Sequence, residues 1–101
     1  MALYYGNHKV RDFNEWRPVF EGDQQRLSGA GVRLVQLMRS ADDPNEVHFI
    51  FDVADLGAFL GMMQQDDSRE LMARAGVLEM PVMYQMQEAM IQKPDATAAV
   101  N

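Results

Sequence analysis

The chain has no cysteine among its 101 residues. A disulfide framework, a thiolate metal site and a cysteine nucleophile are therefore excluded. Glycine (7) and proline (4) are sparse, which excludes collagen-like and low-complexity chains. No apolar run approaches the roughly 18 residues of a membrane span, and no basic segment leads into an apolar stretch, so neither a membrane partner nor a secretory signal is expected. Basic side chains are the minority charge, 9 against 15 acidic ones, for a net charge of −6. That balance argues against a nucleic-acid partner, whose phosphates attract Lys and Arg. Phosphate-cradling motifs are missing too: Gly29-Ala30-Gly31 holds two glycines of a dinucleotide fingerprint but runs into a strand, not a helix. No G-x-S-x-G elbow is present.

What the chain does have is ordinary globular composition, 48% hydrophobic and 24% charged. One domain over residues 1–92 fits this size. Residues 93–101 lack apolar periodicity and read as a flexible C-terminal tail. A cytoplasmic setting is expected. Charge is uneven, +2 over residues 1–40 and −8 over residues 41–101. Asp42, Asp43, Asp55, Asp66 and Asp67 stand where turns and helix starts are expected, which accounts for most of it. An acidic docking face for a partner is the alternative.

Periodicity orders the elements. Residues 3–11 read as a strand, followed by Asp12 at capping-box distance from Glu15. Phe13, Trp16, Phe20 and Leu27 recur at helical intervals to a stop at Gly29-Ala30-Gly31, with Pro18 predicting an irregular first turn and a regular helix by Val19. Residues 32–40 and 46–53 form a hairpin across Ala41-Asp42-Asp43-Pro44-Asn45, and the second strand alternates strictly, with Val47, Phe49, Phe51 and Val53 on one face. Asp55 caps a helix carrying Leu56, Phe59, Leu60 and Met63. A second short helix, with Asp67 and Glu70 spaced as a capping box, stops at Gly76, where Val77 is placed to close a Schellman cap. Residues 82–88 read as a fourth strand, although Met83, Met86 and Met90 also fit a helix.

The order is βαββαβ, an α+β ferredoxin-like arrangement: a four-stranded antiparallel sheet with helices on one face and the first and third strands central. Apolar residues occupy both alternating sets of the second strand and both faces of the fourth. A sheet covered on one side leaves such a face in water, so a homodimer is expected.

The stretch Val10-Arg11-Asp12-Phe13-Asn14-Glu15-Trp16, Phe20 and Asp43-Pro44-Asn45-Glu46-Val47 resembles small dimeric α/β-barrel proteins related to the antibiotic-biosynthesis-monooxygenase group. Ser68-Arg69-Glu70-Leu71-Met72, Ala75-Gly76-Val77 and Pro81 resemble its uncharacterised bacterial members. The resemblance implies two sheets facing each other as a barrel, with a cleft between helices and sheet in each protomer for an aromatic or apolar small molecule. Its members include cofactor-free monooxygenases, cyclases and haem-degrading enzymes. The haem-degrading branch implies a strand Asn, for which Asn7 fits, together with a Trp and a His near the second helical region. Here the only Trp is Trp16 and no His follows His48. Haem degradation is disfavoured, and no cofactor or metal is expected.

Two constellations remain. His8 and His48 lie on the two central strands, and a His near its ordinary pKa of about 6.5 serves as acid or base. His8 is the candidate catalytic residue; both histidines would equally suit hydrogen-bonded structural positions. Trp16, Phe20, Phe49, Phe51 and Phe59 converge between helices and sheet, a lining suited to a flat apolar ligand, with Tyr5 and Asn7 as polar handles. The same aromatics would also build an ordinary core. Seven of the nine methionines fall from Met62 onward, which suits adaptable packing and a dimer surface. The expected function is a homodimeric protein binding a small apolar or aromatic molecule; the alternative is a cofactor-independent monooxygenase or cyclase acting on an aromatic or polyketide-like substrate. An interaction platform without a ligand is the third reading.

Overall fold

Residues 2–89 are described by the computed structural model of the chain; the tail expected at 93–101 and the end of the segment 82–91 lie outside them. The elements run β1 (Ala2–Lys9), α1 (Phe13–Gly22), α2 (Gln24–Gly29), β2 (Val32–Arg39), β3 (Glu46–Val53), α3 (Leu56–Met63), α4 (Asp66–Arg74) and β4 (Val82–Met86). The four strands make one antiparallel sheet in the order β2-β3-β1-β4. This is the expected ferredoxin-like architecture with the first and third strands central. The first expected helix is present as two segments, α1 and α2, and the two expected after the third strand are present as α3 and α4. Met83 and its neighbours are extended, because β4 pairs Tyr84 with Tyr5 and Met83 with Gly6 along β1.

The pleat sorts the side chains. Tyr4, Gly6 and His8 of β1 register with Phe51, Phe49 and Val47 of β3, so all point to the helix side, where Trp16, Leu27, Phe59 and Met62 meet them in the buried core. Tyr5, Asn7, His48 and Asp52 take the opposite parity and point to the open face.

Five local readings are corrected. The helix expected from Asp12 to Leu27 breaks at Asp23, which closes α1 and opens α2. The first turn of α1 is regular despite Pro18, because its free N–H groups are all used: Phe13 N donates to Asn45 Oδ1 (2.9 Å), Asn14 N to Asp12 Oδ1 (2.9 Å), and Glu15 and Trp16 N to the Asp12 carbonyl. Asp12 is thus the cap, but without the reciprocal Glu15 bond; Glu15 pairs with Arg11 instead (2.8 Å). Helix α4 begins after Gln65 with no side-chain cap bond, so Asp67 and Glu70 form no box. In β2 a register shift between Leu34 and Gln36 reverses the parity, turning Leu37 toward the helices and Met38 toward the open face.

The stop after α4 is as read from the sequence. Gly76 has φ +79, its N–H bonds to Ala73 O, and Val77 N bonds to Met72 O (2.9 Å), the two bonds of a Schellman cap. Among the described residues no helix is long and apolar enough to cross a membrane.

Candidate functional site

Between the helices and the sheet lies a cleft with a cavity of about 80 Å³. One wall is Phe49 and Phe51 of β3 with His8 of β1. Across from it stand Trp16 and Phe20 of α1, stacked at 4.6 Å between ring centroids. Phe59 and Met63 of α3, Met72 of α4 and Met83 of β4 complete the apolar lining. Gly6 makes the wall possible, since a Cβ there would overlap the Phe49 ring and the Met83 sulfur.

His8 is the unusual member. Its side chain is 6% exposed and is held edge-on by Trp16 (5.8 Å, 88°) and Phe49 (5.6 Å, 70°). Neither ring nitrogen has a hydrogen-bond partner among the described residues. Burial among these rings lowers its pKa from 6.5 to about 4. At neutral pH it is therefore an uncharged imidazole with one N–H donor and one bare acceptor nitrogen. Leaving such groups unsatisfied costs about 1–3 kcal/mol each, so a ligand that pairs with them gains what the folded protein forgoes.

A second polar group lines the cleft at the α1–α2 break. Asp23, 8% exposed, takes the Arg26 guanidinium in a fork, from Nε to Oδ1 (2.7 Å) and from Nη2 to Oδ2 (3.2 Å). Those bonds raise the Arg26 pKa above its already high value. Arg26 Nη1 donates to Ser68 Oγ (2.7 Å), which donates onward to the Met62 carbonyl (2.6 Å). This chain ties α2 to the start of α4.

The sequence-predicted residues separate by strand parity. His8, Trp16, Phe20, Phe49, Phe51 and Phe59 all line the cleft. Tyr5 and Asn7 do not: both lie on the open face, one residue out of phase with His8. There Tyr5 Oη and His48 Nδ1 share a hydrogen bond (2.5 Å), His48 Nε2 faces Glu46 Oε2 (3.1 Å), and Asn7 Nδ2 donates to Tyr5 Oη (3.4 Å). His8 and His48 are thus on opposite sides of the sheet and cannot act together. Sequence reasoning missed Asp23 and Arg26. Their i, i+3 spacing directly after Gly22 was the available signal, hidden by reading one continuous helix. Among the described residues no group of three or more His, Asp or Glu is placed to hold a metal ion.

No family model matches the chain, and no curated protein matches it. Solved structures do match in fold. A proposed antibiotic biosynthesis monooxygenase from Bordetella bronchiseptica superposes with a TM-score of 0.69 at 17% identity, covering 88% of this chain and 97% of that one. A substituted form of SnoaB, a cofactor-independent oxygenase from Streptomyces nogalater, gives 0.66 at 18% identity, covering 90% and 97%. An uncharacterized NIPSNAP domain protein from Burkholderia xenovorans gives 0.66 at 14% identity, covering 94% and 100%. At these identities the likeness establishes the shared ferredoxin-like fold.

Proposed function

We propose that the protein is a cytoplasmic homodimer whose helix–sheet cleft binds a small apolar or aromatic molecule. The observation that carries this reading is His8, a neutral imidazole with neither nitrogen paired among the described residues, in a largely apolar cavity whose other polar side chains, Asp23 and Arg26, bond to each other. A buried polar group without a partner is rare and calls for a reason; here a ligand atom at the imidazole edge supplies one. The cavity of about 80 Å³ is roughly half the 150 Å³ that accommodates benzene in an engineered apolar site. One aromatic ring fits once the flexible thioethers of Met63, Met72 and Met83 shift. Trp16, Phe20, Phe49, Phe51 and Phe59 would hold its faces, and His8 its polar edge.

The second reading is an enzyme, a cofactor-independent monooxygenase or cyclase acting on an aromatic or polyketide-like substrate. It is favoured by the fold shared with SnoaB, a cofactor-independent oxygenase. In it the bare nitrogen of His8 accepts a hydrogen bond from the substrate's reacting group and orients it, while burial, which lowers its pKa to about 4, disfavours the imidazolium that full proton transfer would form.

A thermal-shift screen against phenols, aromatic amides, aromatic acids, haem and fatty acids tests the cleft. A ligand at a hundredfold excess over its Kd stabilises the native state by about 2.7 kcal/mol. His8→Leu, which keeps the bulk and removes both nitrogens, is expected to weaken the best hit by about tenfold, the worth of one net hydrogen bond. A screen with no hit, or a hit that His8→Leu leaves unchanged, overturns the reading.

A further inference from the structure

We infer that the cleft selects an uncharged ligand over an anionic one of the same shape, and that the Asp23–Arg26 pair sets this preference. The inference rests on the cleft reading above and names its ligand class by charge. Among the described residues, His8, Asp23 and Arg26 are the titratable side chains that line the cavity. The first is neutral, as its burial demands. The other two cancel: both Asp23 oxygens are occupied by Arg26, through Nε and Nη2. The lining therefore carries no net charge, and its remaining walls are aromatic, aliphatic and thioether groups.

An anion entering this site would lose its hydration and find no free counter-charge, a transfer that is strongly unfavourable. Arg26 does not rescue it. Of its five N–H groups one goes to Ser68 and two to Asp23, which leaves two, one on each terminal nitrogen. A carboxylate taking them would lie beside the Asp23 carboxylate, where like charges repel. A neutral carbonyl or hydroxyl oxygen accepts from the same two groups without that penalty. His8 adds a donor and an acceptor, which an uncharged amide or hydroxyl matches and a carboxylate, an acceptor only, does not. Aromatic acids, fatty acids and haem propionates are disfavoured on this ground.

Benzamide and benzoate share one heavy-atom frame and differ in charge. Trp16 is the only tryptophan and lines the cleft, so its fluorescence reports either probe. At pH 7 benzamide is expected to bind the full chain tighter than benzoate by about tenfold or more. Asp23→Asn leaves the Arg26 charge uncompensated and is expected to move that ratio toward benzoate by about tenfold. Benzoate binding as tightly as benzamide to the unsubstituted protein overturns the inference while leaving the cleft reading in place, as does an Asp23→Asn ratio that does not move. Silence of Trp16 toward both probes up to about 10 mM, weaker than one well-buried ring should bind, overturns the cleft reading and this inference together. If Asp23→Asn does not fold, the ratio in the unsubstituted chain decides.

Discussion

On folding, the His8 ring is buried and gains no hydrogen bond from the described residues; the electrostatic consequence of that burial is a dependence of stability on pH with a definite sign. Its pKa falls from 6.5 in the unfolded chain to about 4 in the native protein. Between those values the unfolded state binds the proton that the native state refuses, so stability rises with pH across this window and is level above it. The full difference amounts to about 3 kcal/mol. Urea unfolding from pH 4 to pH 7 should show this loss on acidification, and His8→Leu should remove about that much of it. Subtracting the two profiles cancels the carboxylates that also begin to titrate near pH 4. Identical slopes in the two proteins would mean that His8 has a partner or is hydrated. The sequence already pointed to Trp16, Phe20, Phe49 and Phe51 as inward-facing, because strict alternation in residues 46–53 and helical spacing from Phe13 to Phe20 fix their side; Phe59 followed from the spacing of its own helix, and His8 stood out by its residue type and its central strand without its face being fixed. It did not separate Tyr5 and Asn7 from His8, since the neighbouring run Leu3, Tyr4, Tyr5 is apolar or aromatic on both parities and carries no alternation to read.

Ser68 joins two elements that the chain places far apart. It is fully buried, accepting from Arg26 of α2 and donating to the last turn of α3. Ser68→Ala leaves one guanidinium N–H of Arg26 without its acceptor and removes one of the donors to the Met62 carbonyl, which keeps the Gln65 N–H (3.2 Å), and is expected to cost about 1–3 kcal/mol. Hydrogen exchange should locate the loss at the α3–α4 corner and in α2; an effect confined to α4 would show that the Arg26 bond contributes nothing. The elements themselves were largely legible: the hairpin, the Asp12 and Asp55 caps and the Gly76 stop follow from local chemistry, and the order of the strands in the sheet follows from the βαββαβ arrangement. The failures share one cause. The Asp23 break, the bulge in β2 and the uncapped start of α4 depend on partners distant in sequence: Asp23 bonds to an arginine tied to Ser68, and β2 shifts its register against β3. A pattern of apolar intervals contains no such information. Asp66-Asp67-Ser68 was read for capping, whereas Ser68 serves the contact with Arg26.

For the whole molecule, the layering leaves one sheet face without helices. On it Val82, Tyr84 and Met86 of β4 are exposed, Tyr84 by 55%, and Tyr84 stacks on Tyr5 at 6.3 Å. Arg33 and Asp52 pair on the same face (3.2 Å), as do His48 and Glu46, so an apolar strip at one edge borders polar pairs at the centre. A contiguous apolar strip of this kind is a normal site for a second copy, with a central aromatic as its anchor. Tyr84→Lys replaces that anchor with a charge which, in a two-fold interface, meets the same patch on the partner. Sedimentation equilibrium at micromolar concentration should show a dimer for the unsubstituted chain and association weakened by no less than about 30-fold, or about 2 kcal/mol, in the variant. Because β4 is an edge strand and Tyr84 points away from the helices, the circular dichroism and the Trp16 response to benzamide should both persist in the monomer. That combination separates the two surfaces: loss of benzamide binding along with the dimer would mean that the partner completes the cleft, whereas an unsubstituted chain that sediments as a monomer removes the open face as an interface and leaves the cleft to stand on His8 alone.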